Sequence, residues 1–337
     1  MAVVESSRSR NGEDLEEMDA TALWFEAPNE CRLCTERLSL ADPDAVTVRA
    51  LFSGISRGTE SIVFSGKVPA SERERMRAPH QAGQFPFPVK YGYALVGEVE
   101  EGPQSLVGLP VFCLHPHQDW FRLPASQVYP LPPDVPPARA VLAANMETAL
   151  NIIWDAEALP GDRIAVFGAG VVGLLTAYVA SRIVGTEVVI CDLRPERAYA
   201  ADALGLMFSS PEGVADNCDL LINASAAPEA LEMALDRAGF EARIVEASWY
   251  GQVRANIPLG GAFHTRRLTV ISSQVGSVPA RQRARWNRSR RLEKALQLLA
   301  DDCLDVLISG ETPFSSIAAA YPDIIACRDT LCHRVHY

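Results

Sequence analysis

The sequence predicts an α/β protein in which a doubly wound parallel sheet is joined to a β-rich, barrel-like part. Two observations support this. Strand-like apolar runs alternate with helical patterns in the second half of the chain, whereas short strands punctuated by Pro and Gly fill the first. Between them lies the segment 131–138, whose prolines continue neither a helix nor a central strand.

Alternation and apolar runs locate the individual elements. In the first half, strands are predicted at 22–25, 45–52 and 94–99. In the second half, strands are predicted at 164–167, 187–191, 206–209, 220–224, 243–247 and 268–272. Helices are predicted at 139–156, 195–204, 228–238, 292–299 and 315–321, followed by a short closing strand. Six strands joined by helical crossovers predict the parallel sheet.

A glycine motif follows the first strand of the second half. Gly168, Gly170 and Gly173 have the spacing G-x-G-x-x-G between an apolar strand and an apolar helix. The first permits a tight turn, the second lets backbone approach a pyrophosphate, and the third allows close helix–strand packing. The motif in this setting predicts a Rossmann-type dinucleotide site. Its predicted contact residues are Gly168, Ala169, Gly170, Val171, Val172 and Gly173.

An acidic residue ends the second strand of this sheet. Asp192 lies nineteen residues beyond Gly173, where a ribose-binding carboxylate is expected. Its charge favours the 2′-hydroxyl of NAD over the 2′-phosphate of NADP. Leu193, Arg194 and Arg197 follow as further cofactor candidates. The two arginines could soften the preference, although Arg197 fits equally well as a solvated helix residue. NAD is therefore the predicted cofactor, with NADP as the alternative.

Composition excludes several classes of protein. The chain has 337 residues and a formal net charge of -11, which argues against a nucleic-acid or acidic-membrane surface. No apolar run approaches the ~20 residues that a membrane helix needs. The N-terminal residues 1–19 are polar and acidic without a signal-peptide core, and predict a flexible tail.

Cysteine usage favours a reducing, cytoplasmic location. Eight cysteines are spread along the chain without framework spacing, so free thiols are expected. Cys31 and Cys34 form a C-x-x-C pair, but no second pair or neighbouring His follows. We interpret them as structural residues of a strand or turn, the alternative being a zinc or redox site.

Several segments resemble the medium-chain dehydrogenase/reductase superfamily. Besides the glycine motif, they are GISRGTE at 54–60, GYALVGEV at 92–99, LPASQVYPLP at 123–132, DLRPERA at 192–198 and DLLINAS at 219–225. The resemblance covers roughly residue 20 to the C-terminus. Segment 54–60 and ISSQVG at 271–276 are most similar to the bacteriochlorophyllide hydroxyethyl dehydrogenase branch.

The resemblance implies a domain plan. After the tail, it implies a GroES-like catalytic domain at 20–138, a Rossmann domain at 139–290 and a return to the catalytic domain at 291–337. By family position, the residues after the fourth and fifth strands lie against the cofactor, as expected at strand C-termini. These residues are Ser225, Ser248, Trp249 and Tyr250. The family also implies a homodimer, for which the edge strand at 268–272 is the expected interface.

The expected zinc ligands are replaced. Where family alcohol dehydrogenases carry a Cys and a His, this chain has Ser56 and Tyr93, and Ala94 follows Tyr93 in place of a Glu. A hydroxyl and a phenol are poor zinc ligands beside thiolate and imidazole. Glu147 corresponds to a third family ligand, but one carboxylate does not hold zinc. The four-cysteine structural lobe is absent, since 108–120 contains only Cys113. We therefore predict no zinc, although Cys113, His115, His117 and Asp119 keep a loop metal site open as an alternative.

Without zinc, another group must stabilise the substrate oxygen and exchange its proton. Tyr93 is the first candidate, and as a base it needs a nearby cation to lower its pKa of about 10. Lys67, Arg57, His115 and His117 are candidates for that cation. Glu60 and Glu147 could instead anchor the substrate or relay protons. The alternative for Tyr93 is an aromatic side chain that only fills the vacated pocket.

Two further segments have open interpretations. Arginines at 281–291 surround Trp286. This segment is interpreted as a solvated helix start, a subunit surface or a clamp for an anionic substrate. Segment 73–88 is either a loop that covers the substrate or a surface insertion.

The leading hypothesis is an NAD-dependent oxidoreductase acting on a small secondary alcohol or ketone. A zinc-less quinone or enoyl reductase is the rival enzyme, but such enzymes usually prefer NADPH, which Asp192 disfavours. A dinucleotide-binding protein without catalytic activity is the third possibility. Measurements of NADH and NADPH binding, and of turnover by a Tyr93→Phe variant, distinguish these three hypotheses.

Overall fold

The computed structural model describes residues 17–39, 42 and 44–337. Residues 1–16 of the predicted tail at 1–19 lie outside the described residues. The last three residues of this tail belong to the first strand, where Glu17 pairs with Ser39. The predicted boundary was therefore too late, because the polar residues at this end of the strand are exposed edge positions that do not show an apolar pattern.

The N-terminal part consists mainly of strands. They are β1 (Glu17–Ala27), β2 (Glu30–Ser39), β3 (Ala45–Ser56), β4 (Ala82–Gly83), β5 (Val89–Lys90), β6 (Leu95–Glu101), β7 (Pro110–Cys113), β8 (Trp120–Pro124) and β9 (Tyr129–Pro130). One helix, α1 (Arg57–Phe64), follows β3 directly. The three predicted strands of this part are present within β1, β3 and β6, whereas the short strands gave no periodic signal.

A six-stranded parallel sheet forms the second part. Its elements are α2 (Pro137–Ala140), α3 (Ala143–Ala156), β10 (Arg163–Phe167), α4 (Val171–Ala180), β11 (Glu187–Cys191), α5 (Ala198–Ala203), β12 (Met207–Ser209), β13 (Cys218–Asn223), α6 (Pro228–Arg237), β14 (Ala238–Glu246) and β15 (Thr269–Ser272). The strand order β12-β11-β10-β13-β14-β15 confirms the doubly wound sheet and all six predicted strands. The predicted helix at 139–156 is divided into α2 and α3.

The C-terminal segment returns to the first part. It contains α7 (Arg288–Gln297), β16 (Ile308–Pro313), α8 (Ile317–Ala326) and β17 (Cys332–His336). Strand β17 pairs with β3, and Cys332 stands opposite Ser56. The seven-stranded sheet has the order β16-β17-β3-β6-β7-β9, and β8 pairs with β3 off this path. The return segment therefore brings α8 and the C-terminal residue against the start of α1.

Strands β1, β2, β4 and β5 form a separate four-stranded sheet in the order β2-β1-β5-β4. Cys31 and Cys34 lie on β2, where residues three apart point to opposite faces. Both are free thiols, as are the other six cysteines. The pair is thus a strand feature, as interpreted from the sequence.

The hydrophobic core follows these two parts. One cluster of buried side chains runs through the parallel sheet and its helices into the seven-stranded sheet, and another lies between β1, α1 and α8. Tyr93 packs against both clusters, and Trp249, from the loop after β14, packs against the second. Tyr93 is therefore at the junction of the two parts. Within the described residues, no helix has the length and apolar character needed to cross a membrane.

Candidate active site

The glycine turn has the geometry that its spacing predicted. Gly168 ends β10 with a φ of 99°, and a Cβ there would lie 2.7 Å from the Cα of Ser225. A Cβ on Gly173 would lie 1.9 Å from the carbonyl oxygen of Gly168. Around Gly170, by contrast, a Cβ would meet nothing within 4 Å. The open space at Gly170, in front of the first turn of α4, fits the approach of a pyrophosphate.

Asp192 is fixed at the end of β11. Its Oδ2 accepts a hydrogen bond of 2.8 Å from the backbone N–H of Ala169, and its Oδ1 accepts one of 3.0 Å from that of Arg194. The carboxylate therefore stands beside the glycine turn, as a ribose-binding residue must. The following residue, Leu193, is 80% exposed.

Arg194 and Arg197 are held by the C-terminal return segment. Arg194 donates to the carboxylate of Asp329 and to the carbonyl of Arg328. Arg197 is buried and donates to the carbonyls of Arg328, Asp329 and Thr330. The interpretation of Arg197 as a solvated helix residue is wrong, because its guanidinium is enclosed by this segment.

The residues after β13 and β14 form a hydrogen-bonded group around Glu246. Its Oε2 accepts from the Asn223 amide at 2.8 Å and from the Tyr250 hydroxyl at 3.0 Å, and its Oε1 accepts from the backbone N–H of Ser248 at 2.9 Å. Burial raises the pKa of Glu246 above its ordinary value. The Ser225 hydroxyl donates to Asn223 at 2.6 Å. The structure thus brings the predicted residues together at the strand ends, through two side chains, Asn223 and Glu246, that the sequence reasoning missed.

Across the cleft, Ser56 and Tyr93 lie within one cluster of hydroxyl groups. Ser56 is buried at the start of α1 and accepts a hydrogen bond of 3.0 Å from the Asn145 amide. The Tyr93 hydroxyl lies close to the side chains of Ser56 and Thr59. Thr59 was missed, although it stands beside Glu60 in the segment that had been singled out.

The ionisation of Tyr93 shifts in the direction opposite to that required of a base. Burial raises its pKa above the ordinary value, and the nearby charge of Glu60 adds to the effect. The neighbouring hydroxyls of Ser56 and Thr59 lower the pKa of Tyr93 and offset this only in part. The expected lowering by a cation is therefore wrong, and Tyr93 is a neutral hydroxyl at pH 7.

Glu60 is fully buried at the centre of a second network. Its Oε1 accepts from the backbone N–H of Ser56 at 2.7 Å, and its Oε2 accepts from the Tyr321 hydroxyl at 2.5 Å. The Nε2 of His117 lies 3.1 Å from the same Oε2, while its Nδ1 lies 2.8 Å from the Ser53 hydroxyl. This network fixes the first turn of α1 directly behind the hydroxyl cluster.

Glu147 does not reach the cleft. It follows Asn145 by two residues on α3, so the two side chains point to nearly opposite sides of the helix. Asn145 faces Ser56, whereas Glu147 Oε1 accepts a hydrogen bond of 2.9 Å from the buried Arg291. The prediction of Glu147 as a substrate anchor or proton relay is wrong because this interior ion pair occupies its carboxylate.

Neither Lys67 nor His115 contributes to the shift in the pKa of Tyr93. Lys67 is exposed, and its backbone carbonyl packs against Gly251. His115 stacks on Phe121 with 4.1 Å between ring centroids, and burial lowers its pKa well below the ordinary value. Of the other predicted cations, Arg57 donates through its Nε to the carbonyl of Ile325 at 3.0 Å, and His117 belongs to the network of Glu60.

The arginine-rich segment 281–291 packs against α3. Arg281 pairs with Glu157 at 2.7 Å, and Arg290 stacks on Trp286. Trp286 in turn contacts Trp154, with 4.8 Å between ring centroids. These contacts favour the structural interpretations of the segment over a clamp for an anionic substrate.

The donor set around Ser56 is unsuited to zinc. It consists of the hydroxyl groups of Ser56, Thr59 and Tyr93, which are poor zinc ligands beside thiolate and imidazole. In the part of the chain that the structure describes, no group of three or more His, Cys, Asp or Glu side chains could hold a metal ion.

Fold and site together define the class: a two-domain protein in which a parallel sheet with a glycine turn is joined to a β-rich domain that carries a cluster of hydroxyl groups. No protein-family model matches the chain. The chain is 27% identical to D-xylulose reductase A of Aspergillus oryzae over 152 residues, which cover 42% of each protein. It is 24% identical to galactitol 1-phosphate 5-dehydrogenase of Escherichia coli K12 over 212 residues, 59% of this chain and 60% of the relative. The matches thus span about half the length of these relatives.

Solved structures show the same fold over nearly the whole chain. L-idonate 5-dehydrogenase of Escherichia coli superposes with a TM-score of 0.79 at 13% identity, covering 96% of this chain and 99% of that one. An alcohol dehydrogenase of Escherichia coli CFT073 in complex with NADH gives 0.75 at 16% identity, over 95% and 99% of the two chains. A zinc-binding dehydrogenase of Sinorhizobium meliloti 1021 bound to NADP gives 0.74 at 16% identity, over 95% and 100%.

The homologues of this chain are zinc-type medium-chain dehydrogenases, and its fold is the two-domain fold of that superfamily. The resemblance found in the motifs is confirmed. The finer likeness to the bacteriochlorophyllide hydroxyethyl dehydrogenase branch stays a prediction.

Proposed function

We propose that this protein is an NAD(H)-dependent oxidoreductase that transfers hydride between the nicotinamide and a secondary alcohol or ketone without a catalytic zinc. The observation that supports it most is the pairing of two surfaces. A glycine turn with open space at Gly170 and a fixed Asp192 lies in one domain, and the hydroxyl cluster at Tyr93 lies in the other, where Tyr93 packs against the core cluster that Trp249 also contacts. The relatives named above are a reductase and a dehydrogenase, which is the proposed type of reaction.

The residues present fit a dinucleotide. The turn 168–173 would hold the pyrophosphate, Asp192 the adenosine ribose, and the group after β13 and β14 the nicotinamide end. When bound, NAD supplies the hydride acceptor and NADH the donor. Asp192 supports NAD over NADP, and the two neighbouring complexes contain NADH and NADP, one each.

In this proposal, hydroxyl groups stabilise the substrate oxygen and exchange its proton. A neutral Tyr93 donates a hydrogen bond to the substrate oxygen, the stabilisation that zinc supplies in zinc enzymes. The hydroxyls of Ser56 and Thr59, which lie close to that of Tyr93, form the path along which the proton enters or leaves. Glu60 and His117 act behind them as positioning residues, since Glu60 holds the backbone of Ser56.

Two further parts of the proposal concern the assembly and its location. Strand β15 is the last strand of the parallel sheet, so its outer edge is available to pair with a second copy. A homodimer through this edge is proposed. A cytoplasmic location is supported by the eight free thiols.

Protein purified without chelator provides the test of cofactor and metal. Calorimetric titration is expected to show NADH binding at one site per chain, with NADPH binding at least about tenfold weaker because of Asp192. Metal analysis of the same sample is expected to show well under one zinc per chain. Failure to bind either nucleotide would contradict the proposed function, and one zinc per chain would contradict its zinc-less form.

Replacement of Tyr93 by Phe tests the proposed role of the Tyr93 hydroxyl toward the substrate oxygen. Turnover on an identified substrate is expected to fall by about 100-fold, the usual effect of removing one preorganised donor, while the Kd for NADH stays unchanged. Because the pKa of Tyr93 is raised, its ionisation should be absent from the pH–rate profile below pH 10. Tyr129→Phe, on the outer strand β9, is the matched control. Unchanged turnover in Tyr93→Phe would make Tyr93 a packing residue.

A further inference from the structure

A carboxylate of the return segment lies against the arginines at the ribose end of the cleft. Asp329 accepts a hydrogen bond from Arg194, whose side chain is 28% exposed. The exposed Glu196 lies 3.9 Å from the same guanidinium, beyond hydrogen-bond range. Asp329 is therefore the closest charge partner of Arg194, and it comes from the other domain.

These arginines stand where the two cofactors differ. Arg194 follows Asp192 by two residues, and its backbone N–H donates to that carboxylate at 3.0 Å. In sheets of this type an acid here binds the ribose 2′-hydroxyl, whereas a nearby arginine accommodates a 2′-phosphate. The chain carries both, so this loop alone contains groups that favour NAD and groups that favour NADP.

More than one arginine contributes positive charge at this point. Burial lowers the pKa of Arg57, and the charges of Arg328 and Arg194 lower it further, which places the three guanidinium groups near one another. Arg197 lies beside them and donates to the backbone carbonyls of Arg328 and Asp329. Without Asp329, this cluster would be a receptive site for a phosphate dianion.

We propose that Asp329 is a specificity-determining residue that excludes NADP. Its carboxylate neutralises Arg194 and places a second negative charge close to Asp192, so a 2′-phosphate meets repulsion where it would otherwise be bound. The uncharged 2′-hydroxyl of NAD is not affected. This inference rests on the proposed dinucleotide function and adds the residue that selects between the two forms of the cofactor.

Binding measurements on the full chain test it. The dissociation constants of NADH and NADPH are measured by calorimetry for the unchanged protein, Asp329→Asn and a control, Asp216→Asn. The control removes the 2.7 Å ion pair of Asp216 with Arg237. Asp216 lies just before β13 begins, so it is at the N-terminal end of the strands, opposite the end proposed to bind the cofactor. Asp329→Asn is expected to tighten NADPH binding about tenfold and to change NADH binding less than about twofold. The control should change neither.

Two more variants keep the result interpretable. Asp329→Ser removes the same charge with a different side chain and should reproduce the gain, which also serves if the Asn variant folds poorly. Combining Asp329→Asn with Arg194→Ala should abolish the gain, because the phosphate partner is then missing. A gain that survives the loss of Arg194 would overturn the assigned mechanism.

The outcomes distinguish a failure of this inference from a failure of the proposed function on which it rests. If the unchanged protein binds NADH but NADPH affinity stays the same in both Asp329 variants, Asp329 does not select the cofactor. Equal affinity of the unchanged protein for NADH and NADPH also overturns the inference. If it binds neither nucleotide, the proposed function itself fails, and this inference fails with it.

Discussion

Gly173→Ala is expected to lower the free energy of unfolding by about 3 kcal/mol, at the upper end of the usual cost of overpacking. The added Cβ would stand 1.9 Å from the carbonyl oxygen of Gly168, a backbone atom of the same turn. That oxygen moves only if the turn between β10 and α4 opens. The helix-forming advantage of Ala over Gly, about 1 kcal/mol, does not offset this. Chemical denaturation at equilibrium measures the difference.

Gly170→Ala is the matched control and separates folding from binding. Its Cβ would meet nothing within 4 Å, and its backbone, with φ -79° and ψ 177°, suits any residue. Stability should therefore change by less than about 0.5 kcal/mol. NADH affinity should nevertheless fall at least about tenfold, because the methyl group fills the space that the pyrophosphate needs. Equal stability loss in both variants would contradict this account of the turn.

Glu60→Ala is expected to destabilise the protein by about 3–5 kcal/mol, the usual cost of removing one partner from a buried charged network. The change leaves the backbone N–H of Ser56, the Tyr321 hydroxyl and a ring nitrogen of His117 without their acceptor. All of these groups are buried or face the buried side of α1, so water does not replace the carboxylate without cost.

The exposed Glu74 provides the comparison for Glu60. Glu74→Ala makes the same chemical change close in the sequence and should alter the free energy of unfolding by less than about 0.5 kcal/mol. Thermal and denaturant unfolding of both variants measure the contrast. A similar small effect at the two positions would mean that the network around Glu60 contributes little to stability.

Local features of the cofactor domain could be predicted because their causes are local. The turn at Gly168 needs a positive φ, and Gly173 must pack against the strand that precedes it by a few residues. Apolar runs of strand length, separated by helical patterns, then determined all six strands of the parallel sheet. The position of Asp192 beside the turn followed from the length of one strand–helix–strand unit.

The chemistry of the other side of the cleft could be predicted only in part. The sequence identified Ser56 and Tyr93 as hydroxyl groups in place of metal ligands, and the structure places them in one cluster. It did not reveal that burial and Glu60 raise the pKa of Tyr93. Thr59 was overlooked although it lies in segment 54–60, because the turn of α1 decides which side chain of that segment reaches the Tyr93 hydroxyl.

By itself, the sequence determined the parallel sheet, its glycine turn and the identity of the hydroxyl groups, since these depend on residues close together in the chain. The tertiary structure decided the partners of the charged groups. Glu60 meets Tyr321 across 261 positions, and Glu147 meets Arg291 across 144. Arg194 meets Asp329 across 135. Only the packing of the return segment and α7 brings these residues together, because an ion pair is set by distance in space and leaves no pattern in the order of residues.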